Sequence, residues 1–119
     1  MGDVYLAQDP QRNNELCAVK VLNDNFASDE EANARFQREV ETQARVSGHP
    51  GIVKIFHAGR TPKGRPYFAM EVISGVSFEE WLKQGLGPQQ SVGVIAQAAA
   101  ALAFAHEQGL VHRDVKPEN

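Results

Sequence analysis

The last eight residues, His112-Arg113-Asp114-Val115-Lys116-Pro117-Glu118-Asn119, hold the densest set of groups able to do chemistry. Asp114 and Asn119 are separated by four residues. Transfer of a phosphoryl group to a hydroxyl needs a carboxylate that orients the hydroxyl and accepts its proton, and an amide oxygen that can hold a magnesium ion. Asp114 suits the first task and Asn119 the second, while Lys116 supplies a cation where the transferred group carries negative charge. Any one of these residues alone is equally a member of a charged, solvated tail. Only the complete string argues for chemistry.

A second candidate is Lys20 in the apolar run Ala18-Val19-Lys20-Val21. Period-two alternation along a strand puts Ala18 and Lys20 on one face, so that a small side chain can border an adenine ring while the ammonium reaches the α- and β-phosphates. The competing reading is a lysine on an edge strand that discourages pairing with other sheets. The third candidate is Glu39, which flanks a helical stripe of Phe36, Val40 and Ala44 and can therefore reach a lysine on a neighbouring strand. With Arg35, Arg38 and Glu41 close by, it is also compatible with a solvated helix face.

These residues need elements to position them. Val4 to Gln8, Leu16 to Leu22, Ile52 to His57 and Tyr67 to Val72 read as strands, rich in β-branched and aromatic residues. Polar residues 9–14 form the loop between the first two, and Thr61-Pro62-Lys63-Gly64-Arg65 a hairpin connection between the last two. Ser28 with Glu31 three residues on predicts a capping box, opening a helix that ends near Ser47-Gly48. After Gly75 the period changes. Ser77 and Glu80 open a short helix, and Gly87-Pro88 opens a longer one that reaches about Gln108 and stops at Gly109. Val92, Ile95, Ala99 and Leu102 line one face of it. The pattern is α+β: an antiparallel sheet with one helix, then a helical segment.

Composition limits the alternatives. The 119 residues are 42% hydrophobic and 23% charged, enough for one modest globular domain. A net charge of −3 and a pI near 5.8 give no basic field for nucleic acid or anionic lipid. Cys17 is the only cysteine, and no apolar run has the length of a membrane span, so this segment reads as soluble and cytoplasmic, with anchoring of a longer protein left open.

In this order the motifs resemble the eukaryotic-type (Hanks-type) protein kinase family along essentially the whole chain. Gly2-Asp3-Val4 resembles the end of the family's glycine-rich loop, Ala18-Val19-Lys20 its third-strand lysine motif, and Arg38-Glu39 with His49-Pro50-Gly51-Ile52-Val53 its C-helix and the following loop. Met70-Glu71-Val72-Ile73-Ser74-Gly75 resembles the gatekeeper and hinge. The resemblance implies a protein-kinase-like fold, with residues 1–70 as a small lobe, 71–76 as a hinge and 77–119 as the first helices of a large lobe. It further implies ATP and Mg2+ as cofactors and a serine- or threonine-bearing protein as substrate. Lys20 then pairs with Glu39, and Asp114 is the catalytic base, with Lys116 and Asn119 beside it. Gly2, Val4, Ala18, Met70, and backbone groups of Glu71 and Ile73 surround the nucleotide. Lys116 resembles serine/threonine rather than tyrosine kinases, and the Met-Gly-Asp-Val-Tyr-Leu-Ala opening is similar to bacterial members.

The 119 residues contain neither the first two loop glycines nor Asp-Phe-Gly, an activation segment or Ala-Pro-Glu. The expectation is a partial kinase domain that does not phosphorylate protein by itself. The alternatives are a non-catalytic kinase-like module that binds nucleotide or a partner, and a small-molecule phosphotransferase, against which Arg113 speaks, since those enzymes usually carry glycine there.

Overall fold

The structure, a computed structural model, describes residues 2–112 and 114–118, and of Ala27 only the backbone. It divides into two compact units, residues 2–48 with 53–73, and residues 49–52 with 74–118.

The first unit is built on four antiparallel strands, β1 (Gly2–Asp9), β2 (Glu15–Leu22), β3 (Ile55–Arg60) and β4 (Pro66–Met70), in the order β1-β2-β4-β3. The loop from β1 to β2 is a single 3-10 turn, Pro10–Arg12, capped by the Asp9 carboxylate, which accepts from Gln11 N–H at 3.0 Å. Asn13 and Asn14 then take left-handed conformations, which asparagine tolerates at little cost, and the Asn14 N–H closes the turn on the Asp9 carbonyl. Between β3 and β4 the expected hairpin is present, with Gly64 at φ +78 donating to the Thr61 carbonyl.

Two helices follow β2. The first, α1 (Asp24–Ala27), is one turn that the sequence pattern did not signal; the second, α2 (Glu30–Val46), carries the packed stripe. The predicted cap at Ser28 is corrected. Ser28 has helical dihedrals and ends α1, so the extended conformation that a cap requires falls to Asp29. Its carboxylate accepts from Glu31 N–H at 2.9 Å and Ala32 N–H at 3.1 Å. Ala32, Phe36 and Val40 are buried as a stripe, but Ala44 is exposed. Each four-residue step turns about 40° around a helix of 3.6 residues per turn, so a strict repeat of four drifts off the packed face. Gln43 is half-buried nearby and donates to the Val53 carbonyl at 2.8 Å.

Leu22, Phe36, Val40 and Phe68 form the core between sheet and helix, with Ile55 and Met70 packed against it. The third strand begins three residues later than predicted, because Ile52 N–H is used by the His49 carbonyl in a turn. A bulge at Phe56 then changes the parity of β3: Ile55 pairs with Met70, yet His57 pairs with Ala69. Ile55 therefore faces the core, and His57 faces the opposite side, where its Nε2–H donates to the buried Asp9 carboxylate at 2.9 Å. Arg12 lies 3.5 Å from the centre of the Phe56 ring, a second tie between the β1–β2 turn and β3. The fourth strand stops at Met70 rather than Val72.

In the second unit α3 (Phe78–Lys83) is capped by the Ser77 hydroxyl, which accepts from Glu80 N–H, and α4 (Pro88–Glu107) opens with proline in its first turn. Gly109, at φ +75, ends α4 as predicted. The residue that α4 buries is Ala101, against the turn at Gly51, with Phe104 stacked on His49 at 5.3 Å. The expected stripe is left uncovered: Val92, Ile95 and Ala99 are exposed and Leu102 is half-buried.

The two candidate caps can be separated by experiment. Replacing Asp29 by alanine is expected to lower stability by about 1 kcal/mol, and Ser28→Ala to leave the urea midpoint unchanged. Equal effects of the two changes would return the cap to Ser28.

Candidate active site

Strand pairing decides which side chains share a face. Val4, Lys20 and Phe68 lie in one cross-strand row, and Leu6, Ala18 and Met70 in the next. All six project from the face that carries α2, as does Leu22 two residues beyond Lys20. On α2, Glu39 stands between the buried Phe36 and Val40 and so emerges at the rim of the packed stripe. From there its Oε1 accepts a hydrogen bond from the Lys20 ammonium, across 19 residues of sequence. The side chains are 23% and 38% exposed, so the pair is partly shielded but still wetted. The edge-strand reading of Lys20 and the solvated reading of Glu39 both give way to this contact, since β2 has a strand on either side.

Around Lys20 the face is open and apolar. Val4 and Leu6 are exposed, and Ala18 and Met70 half-buried. A flat base laid on these side chains would find methyl and thioether groups beneath it and a cation at one end, which fits a nucleotide. Leu6 was not among the residues singled out from sequence. Its signal was the same alternation that selected Val4, two residues before it. At Gly2 a Cβ would come within 2.7 Å of the Val21 carbonyl oxygen, so close strand approach alone already requires glycine there.

Beyond β4 the Glu71 N–H donates to the Lys54 carbonyl at 2.9 Å, and its carboxylate accepts from Lys54 N–H at 2.8 Å. This fixes the start of the predicted hinge and leaves the Glu71 carbonyl and the Ile73 N–H outside those bonds.

In the second unit the segment with Asp114 is tied to α3: the Pro117 carbonyl accepts from Glu79 N–H at 2.9 Å. Asp114 N–H donates to Nδ1 of His112 at 3.3 Å, and the Lys116 ammonium lies 3.2 Å from Asp114 Oδ2. Both charged side chains are exposed. Carboxylate and ammonium thus stand together. Arg113 and Asn119, the latter predicted as the magnesium ligand, lie outside the described residues. Among the described residues no three His, Cys, Asp or Glu side chains are grouped to hold a metal ion. No helix among them is long and apolar enough to cross a membrane.

An apolar sheet face with a helix-anchored lysine, and a separate Asp–Lys loop after a long helix, are the parts of a protein kinase. The family model described as "Protein kinase domain" matches residues 1–119, and the chain belongs to that family. It is similar to bacterial serine/threonine kinases: 39% identical over 124 residues to the serine/threonine-protein kinase PknB of Mycobacterium tuberculosis, and 36% over 121 residues to the probable serine/threonine-protein kinase PknB of Lactococcus lactis. Each alignment covers 100% of this chain, but only 20% and 19% of those proteins. The solved kinase domain of Mycobacterium tuberculosis PknI superposes with a TM-score of 0.77 at 36% identity, covering 100% of this chain and 48% of that one. The fold is therefore a partial protein kinase domain of the bacterial Hanks-type serine/threonine class, with the α+β architecture that the pattern predicts.

The ion pair has a measurable signature. In a double-mutant cycle with Lys20→Met and Glu39→Gln, urea unfolding is expected to give a coupling of up to about 1 kcal/mol. Additive losses would mean that the pair does not persist in solution.

Proposed function

We propose that this chain is the nucleotide-holding and proton-accepting part of a kinase that moves the γ-phosphoryl group of ATP to a serine or threonine hydroxyl of a protein. Residues 1–70 form the small lobe, 71–76 the hinge and 77–119 the opening of the large lobe. The observation that carries the reading is the Lys20–Glu39 hydrogen bond, which fixes an ammonium at the end of an open apolar face.

In this reading Val4, Ala18 and Met70 hold the adenine, and the Glu71 carbonyl and Ile73 N–H bind its polar edge. Lys20, aimed by Glu39, holds the α- and β-phosphates. Asp114 orients the substrate hydroxyl and accepts its proton, and Lys116 offsets negative charge on the group in transit. Magnesium, when bound with the nucleotide, neutralises phosphate charge. Asn119 is its proposed ligand in this chain, with most of its coordination left to nucleotide oxygens and water. Catalysis of this kind is almost wholly positioning and charge neutralisation, so the 119 residues, which lack Asp-Phe-Gly and an activation segment, are expected to bind ATP but not to phosphorylate protein.

A chimera tests the reading directly. With this segment replacing its counterpart in the PknB kinase domain of Mycobacterium tuberculosis, radiolabelled phosphate should enter a basic protein substrate in the presence of ATP and magnesium. Asp114→Asn should lower that rate by about 10²-fold or more, and Lys20→Met should weaken nucleotide binding by about tenfold or more. A folded chimera that binds no ATP would favour a partner-binding module. Incorporation by the 119 residues alone, lost in Asp114→Asn, would overturn their expected inactivity.

A further inference from the structure

We propose that Phe68 is a positioning residue for Lys20, steadying the ammonium through the face of its ring while holding α2 in place through Phe36. The inference rests on the reading of Lys20 as a phosphate ligand for its functional meaning, though not for its test. Lys20 and Phe68 are direct partners in the β2–β4 register, so their side chains leave the sheet side by side. The Lys20 Nζ lies 5.8 Å from the centre of the Phe68 ring, within reach of cation–π attraction. The same ring also meets Phe36, with centres 5.4 Å apart and planes inclined by 51°. Glu39 follows Phe36 by three positions on α2 and so projects from nearly the same side of the helix.

One aromatic side chain therefore touches both routes to the ion pair. Phe68 is 3% exposed and Phe36 1%, so neither ring can shift without opening the core. An aliphatic residue at position 68 could fill the same space and preserve the packing, yet it would offer the ammonium no negatively polarised face. Lys20 would then be held by Glu39 alone, a contact between two flexible, partly exposed side chains.

The test keeps shape constant and changes only the ring's charge distribution. Phenylalanine carrying one, two or three fluorine atoms is placed at position 68 of the 119-residue chain, and acylation of Lys20 by a small amine-reactive ester is followed by mass spectrometry without nucleotide. Fluorination should raise the Lys20 rate stepwise, by about two- to fivefold at the end of the series, with circular dichroism and the urea midpoint nearly unchanged. Phe68→Met should give the same rise, and if that variant does not fold, the fluorinated series decides by itself. A Lys20 rate that stays flat across folded fluorinated proteins would overturn the proposal and leave Phe68 as packing alone. Because ATP is absent, failure of the nucleotide reading leaves this readout intact, and the two claims fail separately.

Discussion

The contact of Phe36 with Phe68 fixes where α2 rests on the sheet, and the placement of Glu39 against Lys20 follows from it. Truncating a buried phenylalanine to alanine costs about 3–5 kcal/mol, whereas a partly exposed lysine–glutamate pair contributes about 1 kcal/mol or less. The order of causes follows from these magnitudes. Packing of Leu22, Phe36, Val40 and Phe68 places the helix, and the ion pair forms where the packing has put its ends.

A second constraint acts through strand parity. Side chains alternate between faces, so an uninterrupted β3 would send Ile55 and His57 to the same side. The bulge at Phe56 lets Ile55 join the core while His57 reaches Asp9 on the opposite face. Asp9 is buried, and a buried carboxylate needs donors. It has two, Gln11 N–H and the His57 imidazole, and through the imidazole the β1–β2 turn is fastened to the far edge of the sheet. Since β1 carries Val4 and Leu6, this distant fastening helps to hold the open face on which a base would lie.

How much of this was legible in the sequence depended on the range of the interaction. Period-two alternation set Ala18 and Lys20 on one face, and four-residue spacing put Glu39 at the rim of a stripe; both are local rules, and the first holds in the structure while the second holds for Phe36 and Val40 but not for Ala44. The cap moved from Ser28 to Asp29 because the extra turn Asp24–Ala27, which has no strong periodic signal, took Ser28 for its own end. Residue 52 reads as strand by its β-branched type, yet its N–H is taken by His49. The bulge was hidden for a different reason: it depends on which residues of β4 stand opposite, and a single chain of letters does not state its pairings. The alternating run from Ala18 to Leu22 shows that Lys20 faces a packed side, but not that Phe68 stands opposite it.

The weakness of the Lys20–Glu39 pair is consistent with the role proposed for it. A lysine that must donate to phosphate oxygens cannot be locked into a deep, fully satisfied ion pair, because the incoming charge would then have to displace a buried partner at a cost of several kcal/mol. At the rim of the stripe the ammonium keeps donors to spare, while Glu39 accepts only part of its capacity. An aromatic face beneath it adds attraction without consuming any N–H, which a second carboxylate could not do. The arrangement keeps the cation in place and its remaining hydrogens available, and it does so with groups whose positions are set by the core rather than by the charge itself.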